Sequence, residues 1–322
     1  MKTDERLLQF FIAHEGEFLS GQMLADELGV TRAAVWKAIQ KLTDTGHTID
    51  SQHKVGYRYT NGQTLSAPII KALSQTIWDV QVFDTLDSTN TYAKQALANG
   101  AITRPTVIIA NQQTAARGRL GRSFVAPAQT GLYMSFAWPL AVDAVVDPGL
   151  LTTGTAVAVR QAIQATLDVD LAFKWVNDLL FADKKVGGIL TEAVMDFESQ
   201  QISALVVGIG LNLVAPADLP VDLQAKVGGM VSNLTVSRNV IAAALINAFQ
   251  TAPTADFLPE YRAHNIVIGQ IVTVQFGGKT ITGKAVDIDQ HGALIVQTSN
   301  ERLTVHSGEI TKLLLPNADY KG

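Results

Sequence analysis

Apolar positions near the N-terminus recur at helical spacing. Leu7, Leu8, Phe11 and Ile12 predict a first helix. Ser20 stands before Gln22–Leu28 as the cap of a second, and Gly29 breaks it. Thr31 then caps a third, from Arg32 to Leu42. On that helix Val35, Ile39 and Leu42 share one face, while Arg32, Ala33, Lys37 and Gln40 point the other way. Trp36 flanks that outer face and is expected to pack at the core edge. His47–Ser51 and Gly56–Tyr59 read as two strands with Lys54 and Arg58 on or near them. Helix, glycine turn, helix and wing form a winged helix-turn-helix. The outer face suits a major groove, since Arg and Gln read base edges and Lys binds phosphate. The competing reading is a protein-interaction module with a solvated charged face. Asn61-Gly62-Gln63-Thr64 is polar and marks a linker.

Beyond it the pattern alternates between strands and helices. Val80–Phe83 and Val107–Ala110 read as strands, Gly131–Trp138 and Ala204–Leu213 as buried strands, and Gly149–Leu167 as a helix. Asn233–Gln250 reads as a helix and Phe257–His264 as a shorter one. From Ile271 onward come hairpin signals: a Gly277-Gly278 turn, strands at 280–282 and 285–288, then Ala293–Val296, Leu303–His306 and Ile310, a small β-barrel pattern. The expected organisation is α/β (α+β), with a winged helix at 1–62, a core with a mostly antiparallel sheet at 63–266, and a small C-terminal β-barrel at 267–322.

Composition narrows the chemistry. The 322 residues carry a net charge of −4 and no cysteine. The charge gives no global hint of nucleic acid or membrane, so any such surface is a local patch. Disulfides, thiolate nucleophiles and Cys-ligated zinc are excluded. No apolar run reaches membrane-spanning length and no signal segment opens the chain, which fits the cytoplasm.

The least ordinary stretch is Gln113–Phe124, where Arg117, Arg119 and Arg122 alternate with Gly118 and Gly121 directly after a strand. Glycines let backbone approach a ligand, and arginines supply permanent planar donors for phosphate or carboxylate. It lacks the Gly-Lys-Ser/Thr ending of a Walker loop. Taken alone it also reads as a solvated basic loop. A second stretch, Leu171–Phe181, is apolar except for Lys174, Asn177 and Asp178, and charges on a buried element are paired or functional. Lys185 lies beside Gly187-Gly188, after a hairpin turn at Asp183–Lys185. The hydroxyls of Ser88 and Thr89 sit at a strand end, where they cap a helix or meet a ligand.

The order of Asp87-Ser88-Thr89-Asn90, Arg117-Gly118-Arg119-x-Gly121-Arg122, Lys174-Trp175-x-Asn177-Asp178, Lys185-x-Gly187-Gly188-Ile189-Leu190-x-Glu192 and Gly208-x-Gly210-x-Asn212 resembles biotin–protein ligases. The winged helix makes the chain similar to the bifunctional class, biotin ligase and biotin-operon repressor in one polypeptide. Three positions depart from that family: Ala116 stands for a common Gly, Val176 for a usual Pro and Phe124 for a usual Trp. Ala116 would restrict the loop if that position needed positive φ.

The resemblance implies an ATP-dependent ligase with Mg²⁺. Biotin and ATP form biotinyl-5′-AMP, and biotin then passes to a lysine of a biotin carboxyl carrier domain. It implies Ser88, Thr89, Gln113, Arg117 and Lys185, with Gly188 and Gly210, at biotin. It implies Arg119, Arg122, Phe124, Lys174, Asn177 and Asn212 at the nucleotide, with Arg119, Arg122, Lys185 and Asp178 in catalysis and Asp178 on the Mg²⁺ side. It further implies operator DNA as a partner, an SH3-like C-terminal barrel and a homodimer promoted by the adenylate. Val214–Gly229, with its prolines and glycines, is a candidate lid over the adenylate. A ligand-sensing repressor without ligase activity and a lipoate-type ligase are the alternatives.

Overall fold

A computed structural model describes residues 2–44, 47–60, 64–141, 144, 146–196, 200–251, 256–315 and 318–321. Linker residues 61–63 lie outside the described residues. The chain divides into two compact units, Met1–Gln75 with Val236–Ala243, and Thr76–Thr235 with Ala244–Gly322.

In the first unit, α1 (Thr3–Ala13), β1 (Phe18–Leu19), α2 (Gly21–Leu28), α3 (Arg32–Asp44), β2 (Ile49–Gln52), β3 (Gly56–Tyr59) and α4 (Ala67–Leu73) follow in order. Ser20 Oγ accepts from Met23 N–H at 3.1 Å and Thr31 Oγ1 from Ala34 N–H at 3.2 Å, so both expected caps form. Leu7, Phe11, Leu24, Val35, Ile39, Leu42 and Tyr59 make the core. The wing has a third strand the sequence did not reveal: β1 pairs with β3, and two residues are too few to show a period.

Arg32, Ala33, Lys37, Gln40 and Lys54 are exposed. Arg58 has internal partners, with its Nη2 2.8 Å from Asp50 and its guanidinium 4.7 Å above the Phe18 ring centroid. Trp36 departs from expectation. It takes no part in the core cluster and is 54% exposed, on the same turn-to-turn row as Arg32 and Gln40. The inward face is already filled by Val35, Ala38, Ile39 and Leu42, leaving the indole only the outward side.

The second unit is built on a seven-stranded sheet. Its elements are β4 (Asp79–Leu86), α5 (Thr89–Ala98), β5 (Thr106–Gln113), β6 (Gly131–Pro139), α6 (Pro148–Leu167), β7 (Ala172–Lys174), β8 (Asp178–Phe181), β9 (Lys184–Met195), β10 (Ile202–Asn212), α7 (Val221–Gln224), the part of α8 (Arg238–Thr251) from Ala244 onward, and α9 (Leu258–Ala263). The strand order is β4-β5-β6-β10-β9-β8-β7. The β4–β5 pair is parallel and the other pairs are antiparallel. Asp147 Oδ1 accepts from Gly149 and Leu150 N–H and starts α6 behind Pro148. Phe136 stacks on Phe249 with ring centroids 3.8 Å apart, and Trp78 meets both edge-on. The β8–β9 turn falls at Ala182-Asp183, both at positive φ, so Lys184 and Lys185 already belong to the strand. The helix expected from Asn233 begins at Arg238, after Ser237 Oγ accepts the Asn239 N–H.

The same unit continues into β11 (Ile271–Phe276), β12 (Lys279–Ile288), β13 (Leu294–Gln297), β14 (Arg302–Val305), β15 (Glu309–Leu315) and β16 (Ala318–Lys321). They form an antiparallel sheet in the order β14-β13-β12-β11-β15-β16. The two short strands expected at 280–282 and 285–288 are one long β12, with an irregularity at Ala285–Asp287 absorbing the break in pattern. No helix among the described residues is long and apolar enough to cross a membrane.

Candidate functional site

A cavity of about 520 Å³ opens over the start of α5, the C-terminal ends of β5 and β10 and the first half of β9. It is of small-ligand size. Ser88, Thr89, Gln113, Arg117, Arg119, Arg122, Phe124, Lys174, Asn177, Asp178, Lys185, Gly188, Gly210 and Asn212 all line it, so the expected ligand and catalytic residues of the core meet in one place.

The basic loop is folded back on itself. Gly118 N–H donates to Arg122 O at 2.7 Å and Phe124 N–H to Ala116 O at 3.0 Å. Leu120 and Gly121 carry its left-handed conformations, with φ of 55° and 74°. Ala116 has no positive φ and is buried, so this position does not demand glycine. The peptide bond between Trp175 and Val176 is cis. Phe124 lies against the backbone of Gly210, where an added Cβ would stand 3.0 Å from its ring.

The cations differ in their settings. Arg119 Nη1 donates to Asn177 Oδ1 at 3.1 Å, and burial pulls its pKa down against the opposing pull of Asp178 and Glu309. Lys185 Nζ sits 2.5 Å from Asp178 Oδ1. Arg122 forms an ion pair with Glu309 of β15. Lys174 is buried and stands opposite Asp178 across the β7–β8 hairpin. Burial, helped by the neighbouring Lys185 charge, brings its pKa down to about 8, with Asp178 acting the other way.

The polar floor is more constrained. Ser88 Oγ caps α5 by accepting from Thr91 N–H at 3.4 Å, and its own proton has no acceptor among the described residues. Gln113 Oε1 accepts from Thr89 N–H at 2.7 Å and lies 3.1 Å from Thr89 Oγ1. That pins the amide, whose nitrogen has no partner among the described residues. Asn212 Oδ1 is buried and has no hydrogen-bond partner among the described residues. A buried acceptor left open at a cavity wall marks where a ligand donor belongs.

The segment Val214–Gly229 forms one wall, with Leu219, Asp222, Leu223, Lys226 and Val227 on the cavity. It is hydrogen-bonded to β9 through Lys185 N–H to Lys226 O at 2.8 Å and Gly228 N–H to Lys185 O at 3.0 Å. Asp222 and Lys226 lie in the segment expected as a lid but were not singled out in it, and Glu309 carries no local sequence signal. Their place follows from the return of distant segments to the cavity.

A model of the Biotin/lipoate A/B protein ligase family matches residues 82–212, an HTH domain model matches 4–58, and a Biotin protein ligase C terminal domain model matches 267–313. The chain is 31% identical over 308 residues to the bifunctional ligase/repressor BirA of Escherichia coli K12, covering 92% of this chain and 93% of that protein. The chain belongs to the BirA family. The BirA of Bacillus subtilis 168 is 29% identical over 319 residues, covering 94% of this chain and 97% of that protein. The BirA-like fold is seen again in the biotin protein ligase of Aquifex aeolicus solved with biotin and ATP, at a TM-score of 0.61 and 23% identity over 76% of this chain and 99% of that one.

Proposed function

We propose that this chain joins biotin to ATP, giving biotinyl-5′-AMP and pyrophosphate, then transfers biotin to a lysine of a biotin carboxyl carrier domain, and that its N-terminal unit binds operator DNA as a biotin-dependent repressor. The observation that carries the reading is one cavity that joins a hydrogen-bonding floor to a cluster of basic side chains, among them Arg119, Arg122, Lys174 and Lys185.

The first step brings a carboxylate oxygen to the α-phosphorus, forming a C–O–P bond as the bond to pyrophosphate breaks. Two anions meet, so positive charge is needed at the phosphates. Arg119 and Lys185 supply it, each oriented by a polar partner, Asn177 or Asp178. Arg122 supplies it once it exchanges Glu309 for phosphate. Phe124 offers a face for adenine, and Asn212 Oδ1 accepts from a nucleotide donor. At the other end a cyclic urea meets matched groups: the Ser88 hydroxyl donates to its carbonyl, and Thr89 Oγ1 accepts from an N–H. In the second step the carrier lysine attacks the acyl carbon, AMP leaves with the bonding pair, and the amine loses a proton. Val214–Gly229 keeps water off the anhydride.

Among the described residues no three acidic or histidine side chains cluster as a metal site. Asp178, on the cavity wall, would stand beside a Mg²⁺ ion that entered with the nucleotide. Such an ion supplies charge neutralisation at the phosphates.

The test is to mix the chain with biotin, ATP, Mg²⁺ and a carrier domain and weigh the carrier. A gain of one biotinyl group is expected. Tight biotin binding without transfer would leave a sensor-repressor instead. We further propose that the adenylate favours a homodimer, read as a rise in sedimentation mass with biotin and ATP; an unchanged mass counts against it.

Two further outcomes follow from this reading. Lys174 carries its charge below about pH 8 and loses it above. ATP affinity should therefore fall as pH rises through 8, approaching about tenfold per unit for one linked proton. In Lys174→Met that alkaline limb should vanish, with weak binding already at pH 7. A limb that survives the substitution belongs to another group.

The second concerns DNA. Apolar side chains in the major groove contact the thymine methyl. Trp36, exposed between Arg32 and Lys37, is placed for this. Trp36→Ala should weaken binding to a duplex selected from a random pool by roughly fivefold to a hundredfold. Replacing thymine by uracil in that duplex should weaken the parent protein and leave the variant unmoved. Equal losses in both would remove Trp36 from the readout.

A further inference from the structure

Gly208 is the member of the Gly208-x-Gly210-x-Asn212 run without a ligand role. In β10 it pairs with Ser135 of β6 on one side and Leu190 of β9 on the other. A Cβ at Gly208 would lie 2.2 Å from Asn90 Oδ1. The glycine thus opens a slot in the sheet, and Asn90 of α5 fills it.

Asn90 is held there in one orientation. Its Nδ2 donates to Glu192 Oε2 at 2.8 Å and Leu190 O at 3.2 Å, and Lys94 Nζ sits 2.6 Å from Glu192 Oε1. Both amide protons are used, so Oδ1 must face the other way, toward Ser135 Oγ at 2.6 Å. Ser135 Oγ lies 2.7 Å from Thr89 Oγ1, and Thr89 Oγ1 lies 3.1 Å from Gln113 Oε1. Ser135, Thr89 and Asn90 are buried.

Three oxygen–oxygen contacts share two hydroxyl protons. Asn90 Oδ1 and Gln113 Oε1 at the two ends are pure acceptors. If both protons point toward Gln113, the 2.6 Å contact between Asn90 and Ser135 is lone pair against lone pair. If both point toward Asn90, the bare contact is the 3.1 Å one, and Gln113 Oε1 still has the Thr89 N–H. If Ser135 donates to Asn90 while Thr89 donates to Gln113, the 2.7 Å contact between the two hydroxyls is the bare one. The arrangement with both protons toward Asn90 wins over the other two, because it fills both short contacts and leaves only the long one open. Thr89 then donates inward to Ser135 and turns only lone pairs toward the cavity.

We propose that Asn90 and Ser135, anchored by Glu192 and Lys94, are positioning residues that fix the proton direction of Thr89, so that the site accepts an N–H and disfavours a ligand without one. This rests on the biotin reading of the site: a cyclic urea brings that N–H, and a dithiolane acid such as lipoate does not. With Ser135 or Asn90 removed, the Thr89 proton is free to turn toward Gln113 or the ligand.

The experiment is a double-mutant cycle on the full chain, with biotin binding measured by calorimetry without ATP. Ser135→Ala and Asn90→Ala should each weaken biotin about five- to tenfold, the worth of one neutral hydrogen bond. Thr89→Val should weaken it at least as much. Combined with Thr89→Val, neither should cost anything more, because both act through that hydroxyl. At saturating biotin, kcat and the KM for ATP should stay at the parent values in Ser135→Ala. Additive losses, or a raised KM for ATP, would reduce the chain to packing and overturn the proposal; so would unchanged binding in both Ser135→Ala and Asn90→Ala. Unchanged binding in Thr89→Val would instead reject the biotin site itself. Two separate variants behind Thr89, one at Ser135 and one at Asn90, keep the test open if one fails to fold.

Discussion

Arg119→Ala is expected to slow formation of biotinyl-5′-AMP by about a hundredfold or more. The guanidinium is half-buried on the wall of the cavity and tied to Asn177 by one nitrogen, which leaves further donors for phosphate. Burial lowers its pKa, yet a guanidinium starts so high that it remains charged at neutral pH. It is therefore a fixed, partly desolvated charge where negative charge builds, and such charges act more strongly there than in water. The fold should survive, because the loop is closed by backbone bonds at Gly118, Arg119 and Phe124, which the substitution keeps, and not by the Arg119 side chain. Pyrophosphate release in single turnover gives the measurement. Arg119→Lys keeps the charge but loses the planar fork, and should recover only part of the rate. A loss below about fivefold in Arg119→Ala, with thermal stability intact, would move the phosphate site away from this loop.

What the sequence made legible follows from how each feature is written into the chain. Caps and turns are local, so Ser20, Thr31 and Gly277-Gly278 could be placed from their own neighbours. The Arg/Gly loop and the Lys-Trp-x-Asn-Asp stretch break an apolar background, and a break in pattern is visible without a structure. Trp36 was misplaced because an aromatic on a helix is more often core than surface, and the face filled by Ala38 was not counted against it. Glu309 was invisible for another reason, while Lys226 lay inside the expected lid segment without being singled out in it. Nothing near Glu309 in sequence marks it, and only the return of β15 brings it to the cavity.

The relay behind Thr89 shows an intermediate case. Asn90, Gly208 and Glu192 all stood in recognisable motifs, but Ser135 sat unmarked in a buried strand. Register is what unites them: Ser135 faces Gly208, and Gly208 faces Leu190, two residues before Glu192. Proton direction is a property of the assembled chain of oxygens and of no single residue type, so no motif encodes it.

Gly187 and Gly188 separate two meanings of a glycine that sequence alone merges. At Gly187 a Cβ would stand 2.7 Å from Gly210 O and 2.8 Å from Leu211 Cδ2. Gly187→Ala must push strand β10 away, and should cost stability of about 1–3 kcal/mol, as overpacking does. At Gly188 the nearest atoms to a new Cβ are Asn177 O and Lys185 Cε, both at 3.6 Å, which is ordinary contact. Gly188→Ala should therefore leave the melting temperature level or raise it, since alanine loses less chain entropy in a strand. Its methyl enters the cavity that Gly188 lines, where ligand atoms would pack against bare backbone. The same overpacking cost of about 1–3 kcal/mol then falls on the complex, a loss in biotin affinity of roughly fivefold to more than a hundredfold. Calorimetry of biotin binding beside thermal melts of both variants makes the comparison. Stability lost at 187 with affinity lost at 188 assigns the second glycine to the ligand. Parent-like affinity in Gly188→Ala would show that the ligand stays clear of β9 and would shift the biotin site toward β5 and β10.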